Sequence, residues 1–167
     1  RVDRLIQKKK PKEAMTLLRK VLRLNAMNPD AMGIYAYLLL TYAKNMQQAK
    51  EIAQNGLNIH PGNINCLHTL AWYYYLDKNY FLSLKTFEEI QSKTLSWFEL
   101  QYHWGLAAWK AKDIQKARKH FSLARNLNAD SLKLALSSGL FLESLGETEK
   151  ALKTYNQALG HVTQGSP

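Results

Sequence analysis

The same apolar stripe returns at regular intervals along the chain. Ala14, Ala49, Ser83, Ala117 and Ala151 are spaced 35, 34, 34 and 34 residues apart. Four residues after each comes Leu18, Ala53, Phe87, Phe121 or Tyr155, and three further on comes Val21, Gly56, Ile90, Ala124 or Ala158. Positions i, i+4 and i+7 share one face of an α-helix. The pattern therefore predicts helices over about 12–24, 47–58, 80–92, 114–127 and 148–159. A second set of apolar segments precedes them, predicting helices over about 30–43, 64–76, 97–110 and 132–144. Punctuation between the two sets falls at Lys44-Asn45, Lys78-Asn79, Lys112-Asp113 and Gly146-Glu147. No alternating strand pattern competes with this reading.

Small residues sit beside larger ones in the first helix of each pair, at Leu70-Ala71, Trp104-Gly105 and Ser138-Gly139. A small side chain there lets two helices approach closely. Short breaks follow the second helices, as at 58–62 and 126–130. There Asn128, Asp130 or Ser131 can cap the next helix by accepting hydrogen bonds from its first-turn amides. Pro61 suits a loop or a first helical turn, where its missing donor costs nothing.

At these positions the sequence resembles the tetratricopeptide repeat family, whose unit is a 34-residue helix–turn–helix. The unit at 98–131 matches the family pattern at Trp104, Gly105, Ala117, Phe121 and Ala124. The unit at 132–165 matches at Gly139, Ala151, Tyr155 and Ala158. The unit at 64–97 matches at Leu70, Tyr74 and Phe87, with Ser83 in place of Ala, and the unit at 30–63 keeps Ala49 and Pro61. The resemblance implies an all-α fold, a right-handed superhelix of helix pairs. Its expected divisions are a partial repeat at 1–29, repeats at 30–63, 64–97 and 98–131, and a last repeat with a C-terminal tail at 132–167. Leu5 and Ile6 fall near the end of a first helix, and Gly160 to Pro167 read as a frayed tail. The sequence thus starts inside a repeat, and no separate polar capping helix, which solenoid ends normally need, follows the last one. A fragment of a longer array, or an array whose exposed ends contact something, is expected.

Composition narrows the class. The chain has 167 residues, of which 46% are apolar and 22% charged, enough apolar material for a core and too much for wholesale disorder. Its one cysteine, Cys66, rules out an intrachain disulfide framework and a clustered-Cys zinc site. No run of about 18 apolar residues suggests a membrane span. The compartment is not fixed by these features, with the cytoplasm or the cytoplasmic face of a membrane favoured.

Charge is unevenly spread. Residues 1–23 hold nine basic and two acidic side chains, a net of +7, and residues 110–125 hold six and one, a net of +5. Residues 24–109 and 126–167 each come to −1, which completes the total of +10. The first block comprises Lys8, Lys9, Lys10, Lys12, Arg19, Lys20 and Arg23. The second comprises Lys110, Lys112, Lys116, Arg118, Lys119 and Arg125. Such blocks attract phosphates or acidic partners, or form the solvated faces of helices.

The resemblance further implies that first helices line a concave face. In phase with it lie Ile34, Tyr35, Leu38 and Tyr42, then Asn65, His68, Thr69, Trp72 and Tyr75. Next come Glu99, Tyr102, His103, Leu106 and Trp109, then Lys133, Ser137 and Leu140. Tight helix packing is the competing explanation for half of these aromatics, and Trp104 is expected in the core. Aromatics offer large, rigid contact area with a polar handle, which suits capture of a peptide. Some family members clamp a C-terminal carboxylate with Lys and Asn on these helices. The corresponding positions here are largely apolar or aromatic, with Asn65 the retained amide, so a more apolar ligand is expected.

Chemistry finds little support. No two of His60, His68, His103, His120 and His161 share the i,i+4 spacing of a helical metal pair. There is no phosphate-cradling glycine loop and no nucleophile elbow. A non-enzymatic chain is expected, with no cofactor, no metal and no small-molecule substrate. Three functional readings stay open. The first is a protein-interaction scaffold that binds a peptide or protein segment on the aromatic face, with Trp72, Tyr102 and Trp109 as anchors. The second is a homo-oligomer assembled through exposed solenoid ends. The third is attachment of RNA, an acidic protein surface or an anionic membrane surface to the basic blocks.

Overall fold

The computed structural model of the chain describes residues 2–8, 10–90 and 96–164, with side chains throughout these except at 3, 4, 7 and 161–164. Its order is α1 (Val2–Gln7), α2 (Pro11–Leu24), α3 (Pro29–Leu38), α4 (Met46–Ile59), α5 (Ile64–Leu76) and α6 (Tyr80–Glu88). It continues with α7 (Phe98–Lys110), α8 (Ile114–Leu127), α9 (Leu132–Glu143) and α10 (Thr148–Gln164). The described residues contain helices and turns and no strand. Two compact units divide the chain, Arg1–Gln91 and Ser92–Pro167.

The predicted stripe is the core of each helix pair. Ala14, Ala49, Ser83, Ala117 and Ala151 are all buried, as are Leu18, Ala53, Phe87 and Phe121 at the next position. Ser83 keeps its place in an alanine series because its hydroxyl donates to the Ala71 carbonyl at 2.8 Å. A buried hydroxyl so bonded avoids most of the cost of its desolvation. The small positions work as the sequence suggests. A Cβ on Gly105 would lie 2.7 Å from Cδ1 of Phe121, and one on Gly139 would collide with the Tyr155 ring. The second-helix aromatic therefore occupies the space that the first-helix glycine leaves.

Turn chemistry repeats with the same period. Lys44, Lys78, Lys112 and Gly146 all have left-handed φ, at 56°, 62°, 67° and 76°. The residue after three of them caps the following helix: the Asn45, Asn79 and Asp113 side chains accept from the amides of Gln48, Leu82 and Lys116. Asn28, Asn63 and Ser131 cap the first helices in the same manner, while Trp97 occupies that position without a side-chain cap.

One irregularity in the spacing has a visible cause. From each ladder residue to the next first-helix cap is 14 residues throughout, so the extra residue in the 35-residue interval lies between Asn28 and Lys44. There the end of α3 widens into a π-helical turn over Leu39–Ala43. A π turn accommodates one added residue without shifting the flanking faces.

Two predicted boundaries need correction. Helix α6 stops at Glu88, not near 92, and closes with a tighter bond from the Ile90 amide to the Phe87 carbonyl at 3.0 Å. Residues 160–164 continue α10 where a frayed tail was expected. One glycine costs a helix about 1 kcal/mol, too little by itself to end one. The last three residues of that expected tail lie outside the described residues.

Candidate functional site

In the first unit, α3 packs on α5, and their shared face carries the predicted groove positions. Helix α5 starts beneath Asn63, whose Oδ1 accepts from the Cys66 amide at 3.0 Å while its Nδ2 donates to Asp30 at 2.7 Å. Asn65 donates to the same Asp30 oxygen at 3.0 Å. The one amide expected to greet a ligand is thus engaged in joining α5 to α3. Above it the rings of Trp72 and Tyr75 stack, with centroids 4.6 Å apart and planes 9° from parallel. Both are partly exposed, and Tyr42 is 53% exposed.

Other predicted groove residues in this unit point inward. Leu38 retains no exposed surface and His68 retains 1%, and Tyr35 is also buried. His68 lies between Tyr37, at 5.1 Å between ring centroids, and Phe87, at 6.2 Å. Burial holds its imidazole down to about 3, so it is neutral. Leu38, Tyr35 and His68 therefore belong to the packing. The helices that carry them, α3 and α5, are apolar on more than one side, and sequence phase alone could not separate those sides. Cys66 is buried as well, with Sγ 3.3 Å from the Pro29 carbonyl. Burial, then the Asp30 charge, pushes its thiol up to about 12, leaving it without thiolate reactivity.

In the second unit α7 packs on α8 and α9. Tyr102 is held by a 2.9 Å hydrogen bond between its hydroxyl and that of Ser137. Its ring lies parallel to Phe98 at 5.9 Å, and the Lys133 ammonium sits 5.1 Å from both ring centroids. Burial raises the phenol above its ordinary value, partly offset by the Ser137 bond. Tyr102, His103 and Leu106 are buried, so they too are corrected from groove contacts to packing residues. Trp109 is partly exposed, edge-on to Phe141 at 5.9 Å, with the Lys110 ammonium 4.4 Å above its ring. Of the three expected anchors, Trp72 and Trp109 present surface and Tyr102 does not. Trp104, expected in the core, is partly buried and stacks on His120 with centroids 4.1 Å apart. His120 Nδ1 lies 2.7 Å from Oε1 of Gln101, and burial, helped by Lys119 and Lys116, holds the imidazole down to about 4.

The basic blocks divide differently. Lys12, Arg19, Lys20 and Arg23 are exposed on α2, opposite the buried Ala14 and Leu18. They form the solvated face of an amphipathic helix. Lys8 is exposed, Lys10 pairs with Glu13 at 2.8 Å, and Lys9 lies outside the described residues. In the second block Lys110, Lys112 and Lys119 are exposed, and Lys116 pairs with the capping Asp113 at 2.7 Å. Arg118 and Arg125 instead share a recess with two lysines of α10, Lys150 and Lys153. All four line this space of about 410 Å³ among α8, α9 and α10, closed at its base by Phe121 and Phe141. Sequence reasoning missed the α10 lysines, although Lys150 and Lys153 repeat Lys116 and Lys119 at an interval of 34. Glu147 pairs with two of these cations, Arg118 and, at 2.7 Å, Lys150, and these bonds hold its carboxyl down to about 2.

Among the described residues, no three His, Cys, Asp or Glu side chains are grouped to hold a metal ion. The His161 side chain lies outside that description. No described helix is long and apolar enough to cross a membrane.

No protein-family model matches the sequence, and no curated protein matches it. Solved structures do share its fold. A structure titled "MamA 41-end from Desulfovibrio magneticus RS-1" superimposes with a TM-score of 0.74 at 17% identity, covering 99% of this chain and 93% of that one. One titled "Functional Characterization of Pseudomonas Aeruginosa pilF" gives 0.72 at 22% identity, covering 99% and 73%. At such identities the likeness establishes the fold, a tetratricopeptide-like α-solenoid built from helix pairs.

Proposed function

We propose that this chain is a non-enzymatic interaction scaffold that captures a peptide or protein segment on the first-helix faces of its units. The observation that carries this reading is the partly exposed Trp72–Tyr75 stack on α5, backed by the exposed Tyr42 ring, with Trp109 as the corresponding accessible aromatic on α7. Rigid aromatic rings lose little conformational entropy on binding and bury a large area, which is why they dominate interface energetics. The rings bind; nothing around them performs covalent chemistry. The ligand is apolar at its anchor positions, because Asn65 is engaged with Asp30 and offers no carboxylate clamp. Pull-down or titration with Tyr42→Ser, Trp72→Ala and Trp109→Ala tests this. Loss of binding in at least one is expected, and unchanged binding in all three would sink the reading.

A second reading, association with copies of itself, draws support from a separate observation. Leu136 and Leu140 on α9, and Leu152 and Leu159 on α10, are each more than half exposed. Leu132, Leu136 and Leu140 recur every four residues and so form one stripe. Exposed apolar surface of this kind marks interaction sites. Mass measured across a range of concentrations decides: a strict monomer at the highest concentration contradicts association.

A further inference from the structure

The recess among α8, α9 and α10 differs in character from the aromatic faces. Its rim is cationic, its floor apolar. Arg118 and Lys150 share the single carboxylate of Glu147. Arg125 and Lys153 have no carboxylate partner among the described residues, and the nearest polar contact of Arg125 is the Ser138 hydroxyl at 3.5 Å. Four cations line a space of about 410 Å³, room for a large side chain. Phe121 and Phe141 close its base and are almost fully buried, so its accessible apolar surface is Leu142 and the methylene stems of the arginines and lysines.

Each feature selects the occupant. The surplus positive charge calls for an anionic group. The apolar floor calls for a hydrophobic side chain beside it. Nucleic acid fits poorly, because Phe121 is 3% exposed and Phe141 is 2% exposed, and neither offers a face on which a base can stack. A flat bilayer surface would not enter a recess between two helices. We propose that this recess docks an acidic segment of a partner protein, seating a leucine or phenylalanine against Leu142 and the side-chain stems that line it while its carboxylates pair with Arg125 and Lys153.

The recess does not include Tyr42 or Trp72 and can be tested apart from them. A fluorescein-labelled peptide, Glu-Asp-Asp-Leu-Phe-Asp-Glu, is titrated with the full chain and followed by anisotropy. The double variant Arg125→Glu with Lys153→Glu is expected to weaken binding by about tenfold or more. The charge-conserving pair Arg125→Lys with Lys153→Arg is expected to retain most of it, as is Tyr42→Ser with Trp72→Ala. Replacing Leu-Phe in the peptide by Ser-Ser is expected to weaken binding, and so is raising salt from about 50 to about 300 mM. Arg125 and Lys153 are exposed, so the variants should fold, and circular dichroism with a urea midpoint checks this. No binding of the peptide by the wild type overturns the proposal. So does equal binding by the folded charge-reversed variant, or an oligo-uridine that binds the recess cations as tightly as the peptide does.

Discussion

Single atoms decide how closely these helices meet. Gly105 faces Phe121 so closely that even a methyl group must displace the ring, whose edge is 2.7 Å from the would-be Cβ. Gly105→Ala is therefore expected to destabilise the chain by about 1–3 kcal/mol, read from urea unfolding, the usual cost of overpacking. The left-handed turn positions behave in the opposite sense. Lys112 has a φ of 67°, a conformation that β-branched residues avoid and glycine adopts freely. Lys112→Val is expected to cost about 1–2 kcal/mol, while Lys112→Gly stays near neutral, as Gly146 does naturally in the equivalent turn.

The buried histidines set a pH dependence. Burial lowers His68 to about 3 and His120 to about 4, against 6.5 for an imidazole in the unfolded chain. Between those values the unfolded state binds protons that the folded state refuses, so stability rises with pH. The contribution is complete above about pH 6.5 and drains away as pH falls toward about 4. Glu147, held down to about 2, stays ionised over that window. Urea unfolding of wild type and His120→Asn at pH 7.5 and 5 checks this, and the variant is expected to show the flatter profile.

At the scale of elements, most of the fold was legible because its signals repeat. The buried ladder from Ala14 to Ala151, the glycines facing aromatics and the asparagine caps each recur in phase, so one ambiguous position is corrected by its counterparts. The π turn in α3 was recorded in the 35-residue spacing, though only the structure shows where the added residue went. Deleting Ala43 should restore a regular turn and alter stability by about 1 kcal/mol or less, whereas deleting Leu76 from α5 shifts the α6 face and should cost several times as much. Caps carry unequal weight. Asn63→Ala loses both its bond to Cys66 and its tie to Asp30, so it should cost more than Asn45→Ala, an exposed cap of about 0.5–2 kcal/mol. The candidate site was less legible. Helices α3, α5 and α7 have apolar residues around most of their circumference, and a single phase cannot say whether Leu38, His68 or Tyr102 meets a ligand or a neighbouring helix. The recess beside α10 escaped notice because its four cations come from two helices, with half of them outside the basic block.

For the molecule as a whole, the two proposed contacts use different residues: Tyr42, Trp72 and Trp109 for aromatic capture, Arg125 and Lys153 for the recess. The two can therefore be disrupted one at a time. The central claim is that the exposed first-helix aromatics capture a segment of another protein. Its most direct test is a peptide selection by phage display on the immobilised full chain, followed by affinities of the recovered peptides for wild type and variants. The account predicts peptides with apolar anchors whose affinity falls by about tenfold or more with Trp72→Ala or Trp109→Ala, in variants that keep their helical signal and urea midpoint. Recovered peptides that bind both folded variants as tightly as wild type would contradict it.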